Sequence, residues 1–257
     1  MTVFLSMVIF IAGMMLGSFF NVCIYRIPRA ESIVFPPSHC TSCGTRLKWL
    51  DLFPLFSWLF LRGRCRSCKS KISIQYPLVE LITGLLYMLL YLKFGFSGSF
   101  LTYLILASIL IITTAIDIEH QIIPDELVFI GIIAGVVLVL TGLSVHWKDA
   151  LIGLLVGGGT FLAVALLSEW ILKKEGMGGG DIKLMGMIGL FLGWKLTVLS
   201  ILLSIYAGGL IGGLLLILKI KKRGDAIPYG PFIAVGTIIS IFFGNELITW
   251  YLQTFLY

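Results

Sequence analysis

Charge is scarce in this chain. Asp, Glu, Lys and Arg together make up 12% of its 257 residues, about half the share of an ordinary soluble domain. So little charge cannot cover a water-facing surface. The chain is also too rich in large apolar residues to be disordered. Short alternating strands are missing, which argues against a β-barrel. The first apolar run, Val3 to Ile24, has no basic start and is long enough to span, so it does not read as a cleaved signal peptide. No G-x-G-x-x-G strand-loop-helix signature marks a nucleotide cofactor site. Hydrophobic residues, by contrast, reach 58% with a mean hydropathy of +1.03. That balance identifies a polytopic, all-α membrane protein in contact with lipid.

A spanning helix needs about 20 mostly apolar residues. Such runs occur near 2–24, 77–95, 99–117, 127–144, 149–172, 182–194, 196–219 and 230–255, which makes about eight transmembrane helices. The sixth is short. The net charge of +6 could suggest a nucleic-acid partner, but the cations sit in the loops between spans. Sixteen of the 19 lysines and arginines fall on one side, and only Lys93, Lys148 and Lys195 on the other. The positive-inside rule assigns the first set to the cytoplasm, puts both termini outside and excludes nucleic acid as the reason for the charge. Nothing in the sequence sets an oligomeric state.

One substantial extramembrane segment remains, residues 26–76, between the first helix (1–25) and the remaining helices (77–257). At about 50 residues it needs a staple. Cys40 and Cys43 form one C-x-x-C pair, and Cys65 and Cys68 form another, 21 residues apart. Four thiolates at this spacing are the pattern of a structural zinc site, closed to hydrolysis because it has no open position. Gly44 and Gly63 permit the tight turns, and Arg46, Arg64, Arg66 and Lys69 would favour thiolates. Reduced free cysteines or a redox pair are the alternatives. A reducing compartment disfavours disulfides. His39 is a loop residue that could substitute as a ligand, and Cys23 reads as a small buried apolar residue.

Acidic residues number only 13, and any near the membrane core is a functional candidate. Asp117 ends the third span and Asp181 starts the sixth. Both fall on the cytoplasmic side, at one depth. Two close carboxylates share one proton, so one can take a proton from water while the other polarises a carbonyl. Gly178, Gly179 and Gly180, with Gly176 before them, would let the backbone bend sharply and a substrate strand approach. The bland reading makes Asp181 an N-cap. Asp125 after Pro124 and Asp149 also read as N-caps, Asp225 as solvated, and Glu169 and Glu175 as lying near the inner end of the fifth span. Glu80 would pair with a basic loop residue.

The motifs GSFFNVCIYRIP (Gly17 to Pro28), FPLFSWLFLRGRCRSC, ISIQYPLVEL, AIDIEHQIIPDEL, GMGGGDIKLM and IPYGPFIA follow one another along nearly the whole chain. In this order the sequence resembles the type IV prepilin peptidases, membrane aspartic proteases of the G-x-G-D type. The resemblance implies that Asp117 and Asp181 are the catalytic pair, with Gly178 and Gly180 as the signature glycines of the active-site loop. It implies cleavage of the basic leader of prepilin or pseudopilin precursors at the cytoplasmic face of a bacterial inner membrane. Because all four cysteines are kept, it also implies N-methylation of the new terminus from S-adenosylmethionine. Asn21, Arg26 and Glu80 are candidates for the methyl-donor site. Asp51 to Pro54 departs from the family's usual Asn-Ile-Pro type segment. A proton-coupled transporter and a non-enzymatic, zinc-bearing pilus or secretion assembly factor are the competing readings.

Overall fold

The computed structural model describes residues 2–173, 177–220 and 227–255. Lys174, Glu175, Gly176, Lys221, Lys222, Arg223 and Asp225 lie outside the described residues. Among those described there is no strand, and the chain is helical: α1 Thr2–Arg26, α2 Phe56–Phe60, α3 Gln75–Phe94, α4 Gly98–His120, α5 Asp125–Leu140, α6 Trp147–Leu172, α7 Gly179–Ile217 and α8 Gly230–Phe255. Among the described residues six helices are long and apolar enough to cross a bilayer: α1, α3, α4, α6, α7 and α8. The protein is therefore a multi-pass membrane protein.

The eight expected runs map onto these helices with one difference in length. The run at 127–144 becomes α5, whose 16 residues rise about 24 Å at 1.5 Å per residue, a few ångströms less than the hydrocarbon core is thick. The runs at 182–194 and 196–219 are the two helical halves of α7, which meet at a kink at Gly193. Gly193 has φ 69° and ψ 170°, a conformation open to glycine alone. Its carbonyl accepts the Thr197 hydroxyl, four residues on, at 2.7 Å.

The chain forms two compact units, Met1–Phe96 and Ser97–Tyr257. The first holds α1, α3 and the cysteine segment between them. Helix α3 thus belongs with α1, whereas the sequence reading groups it with the other helices of 77–257. The reason is a stripe of small residues. A side chain on Gly17 would come within 2.8 Å of the Glu80 Cα, and one on Gly13 within 2.9 Å of the Gly84 Cα. Close backbone approach of this kind drives helix pairing in lipid, where apolar side chains gain nothing by leaving one another's solvent.

In the second unit α7 packs against α6, α8 and α5. Its first half, Leu184 to Gly193, is buried on every side, as expected of a helix that is apolar all round. Side chains on Gly153 or Gly157 of α6 would collide with the carbonyls of Gly189 and Met185. Along α8, Gly236 sits on the backbone of Ser200 and Ser204, and Ser200 and Thr237 exchange a 2.9 Å hydroxyl bond. These contacts fix α7 and α8, and with them the ends that carry the acidic residues.

Candidate active site

Asp117 lies in the last turn of α4 and is buried, 5% exposed. Its Oδ2 accepts the backbone N–H of Gly230 at 2.8 Å. That N–H is the first of α8, one of the amides a helix cannot satisfy internally. A side chain on Gly230 would meet the same oxygen at 2.8 Å, so the bond requires glycine here. Asp181 lies in the first turn of α7. The N-cap of α7 is Gly178, not Asp181. Asp181 instead sits three residues on, donates its N–H to the Gly178 carbonyl at 3.1 Å, and accepts the Gly178 N–H on its carboxylate. This is the reach-back half of a capping box. The two carboxylates lie within electrostatic reach of each other, and Tyr229, next to Gly230, lies within reach of Asp181.

The glycines work differently from the sequence expectation. None of Gly178, Gly179 and Gly180 has a positive φ, so the run makes no unusual bend. Two of them serve close approach. A Cβ on Gly180 would lie 2.9 Å from the Ile123 Cβ, and one on Gly178 would lie 3.2 Å from the Asp181 Oδ2, while Gly179 faces open space. Gly180 therefore lets the α4–α5 link, which follows Asp117, lie against the start of α7.

Asp125 opens α5 as its first helical residue, with Pro124 as N-cap and no side-chain cap. Its carboxylate is held by the Lys183 ammonium at 2.8 Å to both oxygens, a second tie between that link and α7. Asp149 likewise falls in the first turn of α6, and His146 is the cap, its ring accepting the Lys148 N–H. The fifth span's inner acid Glu169 takes the Lys173 N–H on its backbone carbonyl.

In the first unit the four cysteine sulfurs all lie within 4.8 Å of one another, with Cys40 and Cys68 at 3.8 Å. Zinc with bonds of about 2.3 Å to four sulfurs in a tetrahedron needs edges of about 3.8 Å, so the residues fit such an ion. The two halves are local copies. The Cys40 N–H bonds the Thr45 carbonyl and the Gly44 N–H returns to Cys40; the Cys65 N–H bonds Ser70 and the Lys69 N–H returns to Cys65. The residue after the second cysteine is left-handed in both, Gly44 at φ 68° and Lys69 at φ 62°.

Burial raises the Cys40 thiol, but the N–H groups of Cys43 and Ser42 and the Ser70 hydroxyl prevail and bring it to about 6. The Ser70 hydroxyl and N–H lower Cys68 as well. Backbone N–H groups of Cys68 and Ser67 favour the Cys65 thiolate, yet burial and its bonds to Cys40 and Cys68 hold it above the usual thiol range. Backbone and serine donors, not Arg46, Arg64, Arg66 or Lys69, thus set the thiolates. His39 stands apart from the cluster, its Nδ1 3.0 Å from the Pro37 carbonyl. Asp51, at the departure from the family pattern, joins the halves through Arg66 at 2.7 Å and the Lys48 N–H at 3.1 Å.

The other three expected residues are buried and engaged within this unit. Asn21 donates to the carbonyls of Gly17 at 3.3 Å and Tyr76 at 3.0 Å. Arg26 donates to Ser32 at 2.8 Å and Pro36 at 2.7 Å. Glu80 accepts the Leu55 N–H at 2.8 Å and bonds Ser18, so its partners are a backbone amide and a hydroxyl instead of a loop cation. The site residues that sequence reasoning left unnamed are Gly230 and Tyr229. Their one signal is the IPYGPFIA segment, whose glycine must sit where a helix starts.

A family model described as the bacterial peptidase A24 N-terminal domain matches residues 11–94, and one described as the type IV leader peptidase family matches residues 104–213. A protein of Stutzerimonas stutzeri named prepilin leader peptidase/N-methyltransferase is 35% identical over 95% of this chain and 92% of its own. Namesakes from Pseudomonas putida, over 92% and 90%, and Pseudomonas aeruginosa, over 94% and 91%, are also 35% identical. No solved structure matches the chain. On these matches the chain belongs to the type IV leader peptidase family.

Proposed function

We propose that this chain removes the leader peptide of type IV prepilin-like precursors and then N-methylates the new terminus. The observation that carries the proposal is the approach of Asp117 and Asp181 from the end of one helix and the start of another. In this reading the pair holds one proton between them. The ionised member takes a proton from the attacking water, and the protonated member donates toward the scissile carbonyl. The Gly230 and Gly178 amides orient the carboxylates, so neither needs a further side chain. Cleavage runs at the cytoplasmic face of a bacterial inner membrane, with eight membrane segments, both termini outside, and the cation-rich loops inside. The substrate's apolar helix stays in the bilayer while its basic leader is cut away.

The first unit supports methyl transfer, for which S-adenosylmethionine supplies an activated methyl group when bound. Cys40, Cys43, Cys65 and Cys68 would hold a structural zinc that fixes the two copied halves. Asn21, Arg26 and Glu80 hold this unit together around α1 and α3 and are the candidate residues of the methyl-donor site.

Mass spectrometry of a candidate pilin's N-terminus after co-expression tests the proposal. The expected product lacks the leader and carries one added methyl group. Asp117→Ala or Asp181→Ala should leave the precursor uncut while the protein still accumulates in the membrane. Normal cleavage by either variant would overturn the dyad. A non-enzymatic assembly factor would instead tolerate Asn at both positions.

A further inference from the structure

The segment between α1 and α3 carries an apolar surface that its own fold leaves uncovered. Trp49 is 75% exposed and Phe60 84%. Phe53 and Phe56, with rings 5.8 Å apart, and Leu59 are exposed beside them. Water is a poor partner for so many large apolar side chains in so short a stretch. A zinc cluster and two copied turns do not need them.

The depth of this segment follows from one hydrogen bond. Helix α3 has 20 residues, which rise about 30 Å. The hydrocarbon core is about 30 Å thick, so α3 must be used end to end. Glu80 is its sixth residue and therefore lies about 7–8 Å below the helix start. Any tilt would draw the helix start deeper. The Glu80 carboxylate holds the Leu55 N–H at 2.8 Å, so the backbone between the Trp49–Leu52 turn and α2 is tied to the first two turns of α3, near the membrane interface. Interfacial segments sit about 5–10 Å into the headgroup and acyl boundary.

Charge points the same way. Immediately after Phe60 come Arg62, Arg64, Lys69 and Lys71, all exposed. The nearby acid Asp51 is occupied by Arg66. A basic rim beside an apolar face suits anionic lipid headgroups. We propose that Trp49–Phe60 is an interfacial membrane anchor, its apolar face against acyl chains and its basic flank on anionic headgroups. The four-cysteine segment is then a module lying in the membrane surface, not one standing free in water. This inference is independent of the dyad.

Trp49 reports on it directly. The full chain and its Trp49→Phe variant are reconstituted in vesicles of phosphatidylglycerol brominated high on the acyl chains. The fluorescence difference between the two proteins is the Trp49 signal. It should fall roughly twofold or more with brominated lipid and stay unchanged with aqueous iodide, as the interfacial depth requires. Quenching by iodide alone would mean water exposure, and quenching by neither would mean cover by protein; either result overturns the anchor. Brominated phosphatidylcholine should quench less, and equal quenching would overturn the headgroup contact. Should Trp49→Phe fold poorly, Phe60→Trp read against the wild type gives the same comparison.

Discussion

Replacing Asp117 by Asn and by Ala separates the holding of a carboxylate from its chemistry. The Asp117 Oδ2 accepts a 2.8 Å bond from the buried Gly230 N–H. Asn keeps an oxygen in that place and loses only the charge assistance, so Asp117→Asn should cost about 1 kcal/mol or less. Ala leaves the first amide of α8 without a partner, which costs about 1–3 kcal/mol. The two variants should therefore differ in thermal or chemical stability in the same nanodisc by about 1–2 kcal/mol. Cleavage should not follow stability. Neither variant can carry the shared proton, so both should lose about 10²–10⁴-fold or more in the rate of leader removal. The assay is single-turnover cleavage of a co-reconstituted precursor, with stability read in the same preparation. An Asn variant that cuts at the wild-type rate refutes the chemistry. An Ala variant as stable as the Asn variant refutes the hydrogen bond.

The glycine loop makes a graded prediction: Gly180→Ala, whose Cβ would press on Ile123 at 2.9 Å, should cost about 1–3 kcal/mol and impair cleavage, while Gly179→Ala, facing open space, should leave both unchanged. In the cysteine cluster the folded Cys40 thiol lies at about 6, below its ordinary value. Its thiolate therefore favours the folded, metal-binding form above the ordinary thiol range and at neutral pH, and that advantage fades as pH falls through about 6. Metal content after dialysis at a series of pH values should fall only below about 6, because bound metal competes with the proton, and at neutral pH iodoacetamide should modify Cys40 first in metal-stripped protein and spare it in loaded protein. Lys69 holds the left-handed position that Gly44 holds in the other half, so Lys69→Gly should stabilise the second turn by about 1 kcal/mol and slow metal loss to a chelator.

How much was legible beforehand depends on what kind of residue carried the signal. Cysteine spacing and intramembrane acids are chemistry written in single letters, so Cys40, Cys43, Cys65, Cys68, Asp117 and Asp181 stood out before any fold was known. Apolar runs located the helices because bilayer thickness fixes their length. Partnerships were not legible. Glu80 looked for a cation and found the Leu55 amide, because a backbone N–H has no letter in the sequence. Asp125 looked like a cap and instead reached Lys183 of α7, 58 residues away. The two halves of α7 were legible as separate runs because the break at Gly193 interrupts the apolar pattern.

The distribution of glycine in the candidate site follows from how its acids are held. Asp181 accepts an amide from the N-cap of its own helix, and Asp117 accepts one from the start of α8. Both donors are helix-start N–H groups that must find acceptors outside the helix ladder, and both act through rigid backbone. A carboxylate gripped this way needs no neighbouring side chain to orient it, which leaves the space around it open for a substrate strand. The cost is that the donor residues must lie close enough to exclude a Cβ. Gly230 meets that condition, its Cβ site 2.8 Å from an Asp117 oxygen, and Gly178 comes near it, its Cβ site 3.2 Å from an Asp181 oxygen. A motif of glycines and aspartates with few other fixed polar residues is what such a design leaves in a sequence, since the orienting groups are main-chain atoms common to every residue.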